Sequence, residues 1–174
     1  MDLIGQFENA ARDAAATVER VSRSPEEIAA AVARVAPAAQ RIAVAEPTGL
    51  PAELFSACRN LPGVFTGRTK KEWTAAEIGI TEAFAGVART GSICVAMDQG
   101  DTGYASLLAR THVAVLASET IVERPGDLFR SDRLNAQGLR ANYVFVTGPS
   151  ATADMGPLVR GVHGPHRLHI LILV

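Results

Sequence analysis

Two stretches near the C-terminus carry side chains of the types that can hold ligands or move protons. "FVTGPSATAD", Phe145 to Asp154, ends an apolar run in Gly148-Pro149 and then offers Ser150, Thr152 and Asp154. Gly148 lets the backbone approach a ligand, Pro149 stiffens the turn, and two hydroxyls beside backbone N–H groups can hold a carboxylate or phosphate. Asp154 would repel an anion, so its expected job is to cap the next short helix, with acid-base work as the rival role. The plain alternative is that all three polar residues only satisfy turn and helix-start backbone groups. "GVHGPHRLH" follows, with His163 flanked by Gly161 and Gly164. An imidazole there can donate to a substrate or exchange a proton near neutral pH, or simply brace its loop against a carbonyl.

Sharper chemistries meet obstacles. Ser150, Asp154 and His163 stand in the order of a G-x-S-x-G hydrolase elbow, but Thr152 replaces the last glycine and Asp154 lies too close in sequence to orient a histidine independently. His166 and His169 are three apart in an expected strand and point to opposite faces, so no metal site is expected. No Walker-type or dinucleotide glycine loop is present, and the only lysines, Lys70 and Lys71, sit side by side in a polar stretch that suits solvent better than a Schiff base. Cys58 and Cys94 are too few for a thiolate metal site or an iron-sulphur cluster held by this chain. Cys94 lies in an apolar run and reads as a core thiol. No cofactor is expected.

The elements that must position these residues follow from apolar periodicity. Residues 1–40 read as a helical lead-in, with Leu3, Phe7, Ala11, Ala14 and Val18 predicting one helix from Leu3 to Val21. "SPEE" predicts a second helix, with Ser24 as N-cap, Pro25 in the first turn and Glu27 completing a capping box. A short strand is expected in "RIAVAEP", a helix from Pro51 to Asn60, and an exposed connection from Gly63 to Trp73. Strands Ala85 to Arg89 and Ser92 to Met97 flank a turn at Thr90-Gly91. Asp98 to Gly103 reads as a loop, "HVAVLA" as a strand opening at His112, and "PGDLFRSDRLNAQ" as a helix. "YVFVT" and "RLHILILV" are further strands. Strands alternating with helices predict an α/β fold, a largely parallel sheet with helices on both faces. The cavity is then expected beyond strand carboxyl ends.

The chain has 174 residues, 48% of them hydrophobic, enough to bury about 70% of the unfolded surface around one core, so residues 1–174 are expected to form one domain. Seventeen basic against eighteen acidic residues leave a net charge of −1, which gives no field to concentrate nucleic acid. No apolar run approaches a membrane span, and Asp2 and Glu8 interrupt any secretory signal, so a cytoplasmic location is expected.

"TGPSATADMGPLVRGVHGPHRLHILIL", Thr147 to Leu173, closely resembles the C-terminal signature of the lactate-utilisation protein C family, the LUD domain. "GITEAFAGVARTGSICV" is similar to the same family's small-residue segment, with "HVAVL" in the expected order between them. The resemblance covers roughly Glu77 to the C-terminus. It implies a NagB/RpiA/CoA-transferase-like fold and an accessory role beside iron-sulphur and redox subunits in oxidising L-lactate to pyruvate. By match to the motifs, Thr90, Gly91, His112, Gly148, Pro149, Ser150, Thr152, Ala153, Asp154, Gly161, His163, Gly164 and Pro165 carry over. Of these, Thr90, Gly91, Gly148, Ser150, Thr152, His163 and Gly164 are the expected ligand-binding set, and His163 and Asp154 the candidate acid-base groups. The chain departs from the family at Ala151, where an arginine is expected, at Arg89 and Phe84, where acidic residues are, and at Tyr104, where a basic one is. Arg110-Thr111 replaces a usual Pro pair. In the accessory role the site is expected to bind a small carboxylate, a phosphorylated ligand or the edge of a partner's cofactor; two rival roles stand beside it, a stand-alone isomerase- or transferase-like enzyme and a non-catalytic scaffold for the redox subunits.

Overall fold

The computed structural model describes residues 2–66, 69–97, 100–130, 142–153 and 156–174. In chain order these form α1 (Leu3–Asp13), β1 (Thr17–Val21), α2 (Pro25–Val35), β2 (Ile42–Val44), a 3-10 turn leading into α3 (Ser56–Arg59), β3 (Val64–Phe65), α4 (Lys70–Trp73), β4 (Ile78–Ala83), β5 (Ala85–Val87) and β6 (Ser92–Met97). There follow α5 (Thr102–Leu107), β7 (Thr111–Ala117), β8 (Ile121–Val122), α6 (Pro125–Arg130), β9 (Asn142–Val146), β10 (Ala151–Thr152), β11 (Val159–Arg160) and β12 (Arg167–Leu173).

Six strands pair in parallel in the order β1-β12-β7-β4-β2-β3. The near-continuous apolar strands explain the burial: β7 is buried throughout, and alternate residues of β12 supply both faces. On one face Ile78, Ile80, Val113, Val115, Leu171 and Leu173 pack under α2 and α3. On the other, Ala114, Leu116, Leu168, Ile170 and Ile172 meet Phe7 and Ala11 of α1, and Ile93 and Val95 of β6. The α/β fold with helices on both faces is therefore present.

Part of that second face is covered by another sheet, β8-β5-β6-β9, with β5/β6 and β6/β9 antiparallel. The sequence pattern missed this layer because its pairing of β9 with β6 joins segments about fifty residues apart. The expected single helix to Val21 also breaks. Ala15 adopts φ +66°, and the β-branched Thr17-Val18 continues as β1, pairing with β12 from Thr17↔His169. Arg20 on β1 grips Glu8 on α1 through two hydrogen bonds of 2.7 and 2.9 Å, and this contact holds the Glu8 carboxyl below its ordinary range.

The second helix starts where expected, with Ser24 Oγ accepting from Glu27 N at 3.4 Å. The reciprocal half of the box differs: Ser24 N donates to Ser22 O, and Ser24 Oγ donates to Glu26. The expected exposed connection from Gly63 to Trp73 instead holds β3 and α4, with Trp73 buried. The expected loop before Gly103 already enters α5, which lies so close on β4 that a Cβ on Gly79 would sit 1.8 Å from Ala105 O. The helix at Pro125 runs to Arg130, and the rest of its expected span lies outside the described residues.

The connections also create a switch. From β2 the chain leaves through α3 on one face to reach β3, whereas from neighbouring β4 it leaves through the second sheet and α5 on the other face to reach β7.

Candidate functional site

Ser150 and His163, thirteen residues apart, are brought together by backbone bonds between their loops. Ser150 N–H donates to Pro165 O at 2.9 Å, and Gly161 N–H donates to Ser150 O at 2.9 Å. Outside this staple the antiparallel pair β10/β11 sets Ala151 opposite Arg160 and Thr152 opposite Val159. A Cβ on Gly164 would lie 3.2 Å from Ser150 Cβ, so the glycine lets the loops close without a side chain between them. The two loops, β9 and the starts of β7 and β12 enclose a cavity of about 380 Å³, within the usual range for small-molecule sites.

Gly148, Ser150, His163 and Gly164 all line this cavity. Thr152 sits half-buried in the hairpin and outside the lining, and Asp154 lies outside the described residues. Thr90 and Gly91 are not lining residues either. Thr90 is linked to the wall by a chain of hydroxyls, Thr90 Oγ1 to Ser92 Oγ at 2.7 Å and Ser92 Oγ to Thr147 Oγ1 at 2.6 Å. Gly91 instead packs on α1: it has φ +64°, and a Cβ would lie 2.1 Å from Ala11 N. Gly148 also serves α1, since at φ +67° its missing Cβ leaves room for Ala14 O. One helix is thus clamped by both bends.

The cavity lies at the amino ends of β7 and β12 in the main sheet, not beyond their carboxyl ends as the sequence reading expected. Its motif follows the carboxyl end of β9, but β9 belongs to the second sheet. Nor is Ser150 on a strand-to-helix elbow, because the chain continues into β10; the hydrolase geometry is missing.

His112, at the start of β7, forms part of the inner wall. It is fully buried, with Nε2 2.8 Å from Thr81 Oγ1 and Nδ1 3.4 Å from Ser106 Oγ. Burial pushes its pKa down to about 4, so at neutral pH it braces the wall as an uncharged ring. Among the described residues the lining includes no lysine or arginine, and Ala151 stands in it where the family resemblance leads one to expect an arginine. Apolar surface comes from Val146, Pro149 and Leu168. The arrangement suits a small ligand with one hydrogen-bonding end and one apolar end. Thr147 and Leu168, which the sequence reading passed over as strand residues, line it too. The signal for Thr147 was its place directly before Gly148.

At two of the other departures, Phe84 and Tyr104, aromatic packing fills the position. Phe84 is buried against Tyr143, with ring centroids 5.1 Å apart, and Tyr104 stacks on Trp73 at 5.8 Å; Arg89 is exposed. His169 is held by Thr17, Nδ1 to Oγ1 at 2.6 Å, and its burial lowers its pKa, whereas His166 is exposed beside Gly161. Among the described residues no group of three or more His, Cys, Asp or Glu could hold a metal. Cys58 and Cys94 are buried, and desolvation pushes each thiol up to about 11, which makes them poor nucleophiles. No helix among the described residues is long and apolar enough to cross a membrane.

A profile of the LUD domain family matches residues 4–173. Lactate utilization protein C of Oceanobacillus iheyensis is 28% identical over 102 residues, covering 56% of this chain and 44% of that protein. An uncharacterized electron transport protein of Escherichia coli, YkgF, is 29% identical over 111 residues, 61% of this chain and 22% of that one. The chain therefore spans less than half the length of these curated relatives. A crystal structure of a DUF162 family protein from Deinococcus radiodurans superposes with a TM-score of 0.73 at 22% identity, covering 99% of this chain and 96% of that one, which establishes the shared fold.

Proposed function

We propose that this chain, which belongs to the LUD domain family, serves lactate utilization as an accessory component that binds a small carboxylate between its Gly148 and Gly164 loops. The observation that carries this reading is the staple from Ser150 N–H to Pro165 O, which turns two separate polar loops into one cavity wall. A hydroxy or keto acid such as lactate or pyruvate presents a carboxylate and a methyl group. Ser150 and His163 donate to the carboxylate, and the methyl packs on Val146, Pro149 and Leu168. Hydrogen bonds to a charged acceptor contribute about 1.5–3 kcal/mol each, so no fixed cation is required for modest affinity.

Oxidising lactate to pyruvate removes two electrons and two protons. Two buried cysteines do not supply the ligands of an iron-sulphur cluster, so we assign the electrons to iron-sulphur and redox partner subunits. The name of the electron transport relative agrees with this assignment. The chain's own part is to hold the acid, not to catalyse alone.

Thermal unfolding with lactate or pyruvate tests the site. A ligand at 100 times its dissociation constant adds about 2.7 kcal/mol, and that gain should vanish in Ser150→Ala and His163→Ala. No stabilisation of the unaltered chain by either acid refutes the binding role. Copurification of iron-sulphur subunits with the tagged protein tests the partnership, and turnover of lactate by the isolated chain would replace it with a stand-alone enzyme.

A further inference from the structure

The opposite end of the sheet holds a crevice that the lactate reading leaves unused. Because the connections from β2 and β4 depart to opposite faces, the chain separates beyond their carboxyl ends, and an open α/β sheet binds its ligands at such a switch point. Beside that point, beyond the carboxyl ends of β2 and β3 and against the start of α5, lies a cavity of about 490 Å³. Its polar groups come from separate segments: Glu46 and Thr48 after β2, Thr66 after β3, and Asp101 and Thr102 at the start of α5. Phe65, with Arg41 over its ring at 4.5 Å and Trp73 at 5.9 Å, adds an aromatic wall.

Three contacts decide the ligand's charge. Arg59, the cation in the lining among the described residues, donates to Glu46 at 2.6 Å and to Ala52 O at 3.0 Å, so its charge is matched and its fork is fixed. The backbone N–H groups of Thr48, Gly49 and Leu50 would make an anion cradle, but the Glu82 carboxylate already fills it, at 2.7, 2.8 and 3.0 Å. Asp101 does not spend its side chain on capping α5. Among the described lining residues, what remains is a field of acceptors, with hydroxyls that can donate or accept, beside an aromatic face. Phosphate and carboxylate are disfavoured there. Vicinal hydroxyls, each donating to a carboxylate or a threonine oxygen, fit.

We propose that this crevice is a second binding site, for an uncharged polyol, with Glu46 and Asp101 accepting from adjacent hydroxyls and Phe65 packing on the ring. A free sugar and the ribose of a nucleoside share this chemistry. Calorimetric titration of the full chain with ribose, adenosine and ribose 5-phosphate separates them. Binding of ribose and adenosine alike assigns the site to the polyol, and binding of adenosine alone assigns it to a nucleoside. Ribose 5-phosphate should bind at least about tenfold more weakly than ribose, a carboxylate-to-ligand hydrogen bond being worth that factor or more.

Asp101→Asn should weaken the neutral ligands by about tenfold. Glu46→Gln, at an exposed side chain, should weaken them while strengthening ribose 5-phosphate, because it releases Arg59. Unchanged circular dichroism in both variants keeps the comparison clean. Preference of the unaltered chain for the phosphate, or no binding of any of the three, overturns the proposal. So does neutral-ligand affinity indifferent to both substitutions.

Discussion

The two ends of the sheet differ in how their polar groups are committed. At the amino ends of β7 and β12, the cavity offers Ser150, Thr147 and His163 against apolar walls, and His112 behind them stays uncharged. At the carboxyl ends of β2 and β3, the crevice gathers carboxylates, with its arginine engaged by Glu46 and the backbone cradle that starts at Thr48 filled by Glu82. One end suits an acceptor with an apolar tail, the other a cluster of donors. The lesson is that ligand charge is set less by how many charged residues line a cavity than by which of them the protein has already satisfied.

Substitutions can break this comparison, starting with the largest effect. Gly148→Ala places a Cβ 1.9 Å from Ala14 O at a residue with φ +67°, so the loop must separate from α1. A loss of about 3 kcal/mol is expected, with a melting temperature lower by roughly 6–12 °C. The crevice shares no residue with that contact, so its ligand affinity should survive wherever the variant remains folded. Affinity lost at both ends would mean that the ends are not independent.

Acid should loosen the amino-end wall next. His112 titrates near 6.5 when unfolded and at about 4 when folded, so between these values the unfolded chain takes up the proton and the native one does not. Stability is fully present above about pH 6.5 and falls as the pH drops toward 4. The His112 share of this loss is about 3 kcal/mol. The depressed pKa of His169 acts in the same direction. Denaturant titrations across this range should give a visibly flatter profile for His112→Gln, and an unchanged slope would contradict the bracing role.

Smaller effects sharpen the baseline. Ser24→Ala should cost about 0.5–1 kcal/mol, near the low end for an N-cap because its bond to Glu27 N is long at 3.4 Å. Gly126→Ala, with nothing within 4 Å of the added Cβ in α6, should gain about half a kcal/mol. Both are read as shifts in the urea midpoint with an unchanged slope.

What was legible in the sequence follows the range of the interactions involved. The start of α2 and the strands β7 and β12 are written in local pattern, as were Gly148, Ser150, His163 and Gly164 through their close spacing in two glycine-proline loops. Strand β1 was hidden because its Ala-rich approach continues the helical pattern, and the break depends on one residue, Ala15, entering a left-handed conformation. Helix α5 was hidden by Gly103 and the short run around it. The second sheet and the crevice both depend on pairings between distant segments, and no spacing in the chain joins Glu46 to Asp101. Gly91 reads as a ligand residue in the sequence because a Thr-Gly bend looks the same whether it faces a cavity or, as here, a helix backbone.

Our central proposal is that the stapled loops hold a small acid. Backbone amide resonances recorded while pyruvate is titrated into the isotopically labelled protein test it most directly. Saturable shifts at Ser150, His163 and Gly164, with Thr48 and Thr102 unmoved, are the predicted result. Shifts confined to the crevice, or none at any of these five amides up to tens of millimolar, would contradict it.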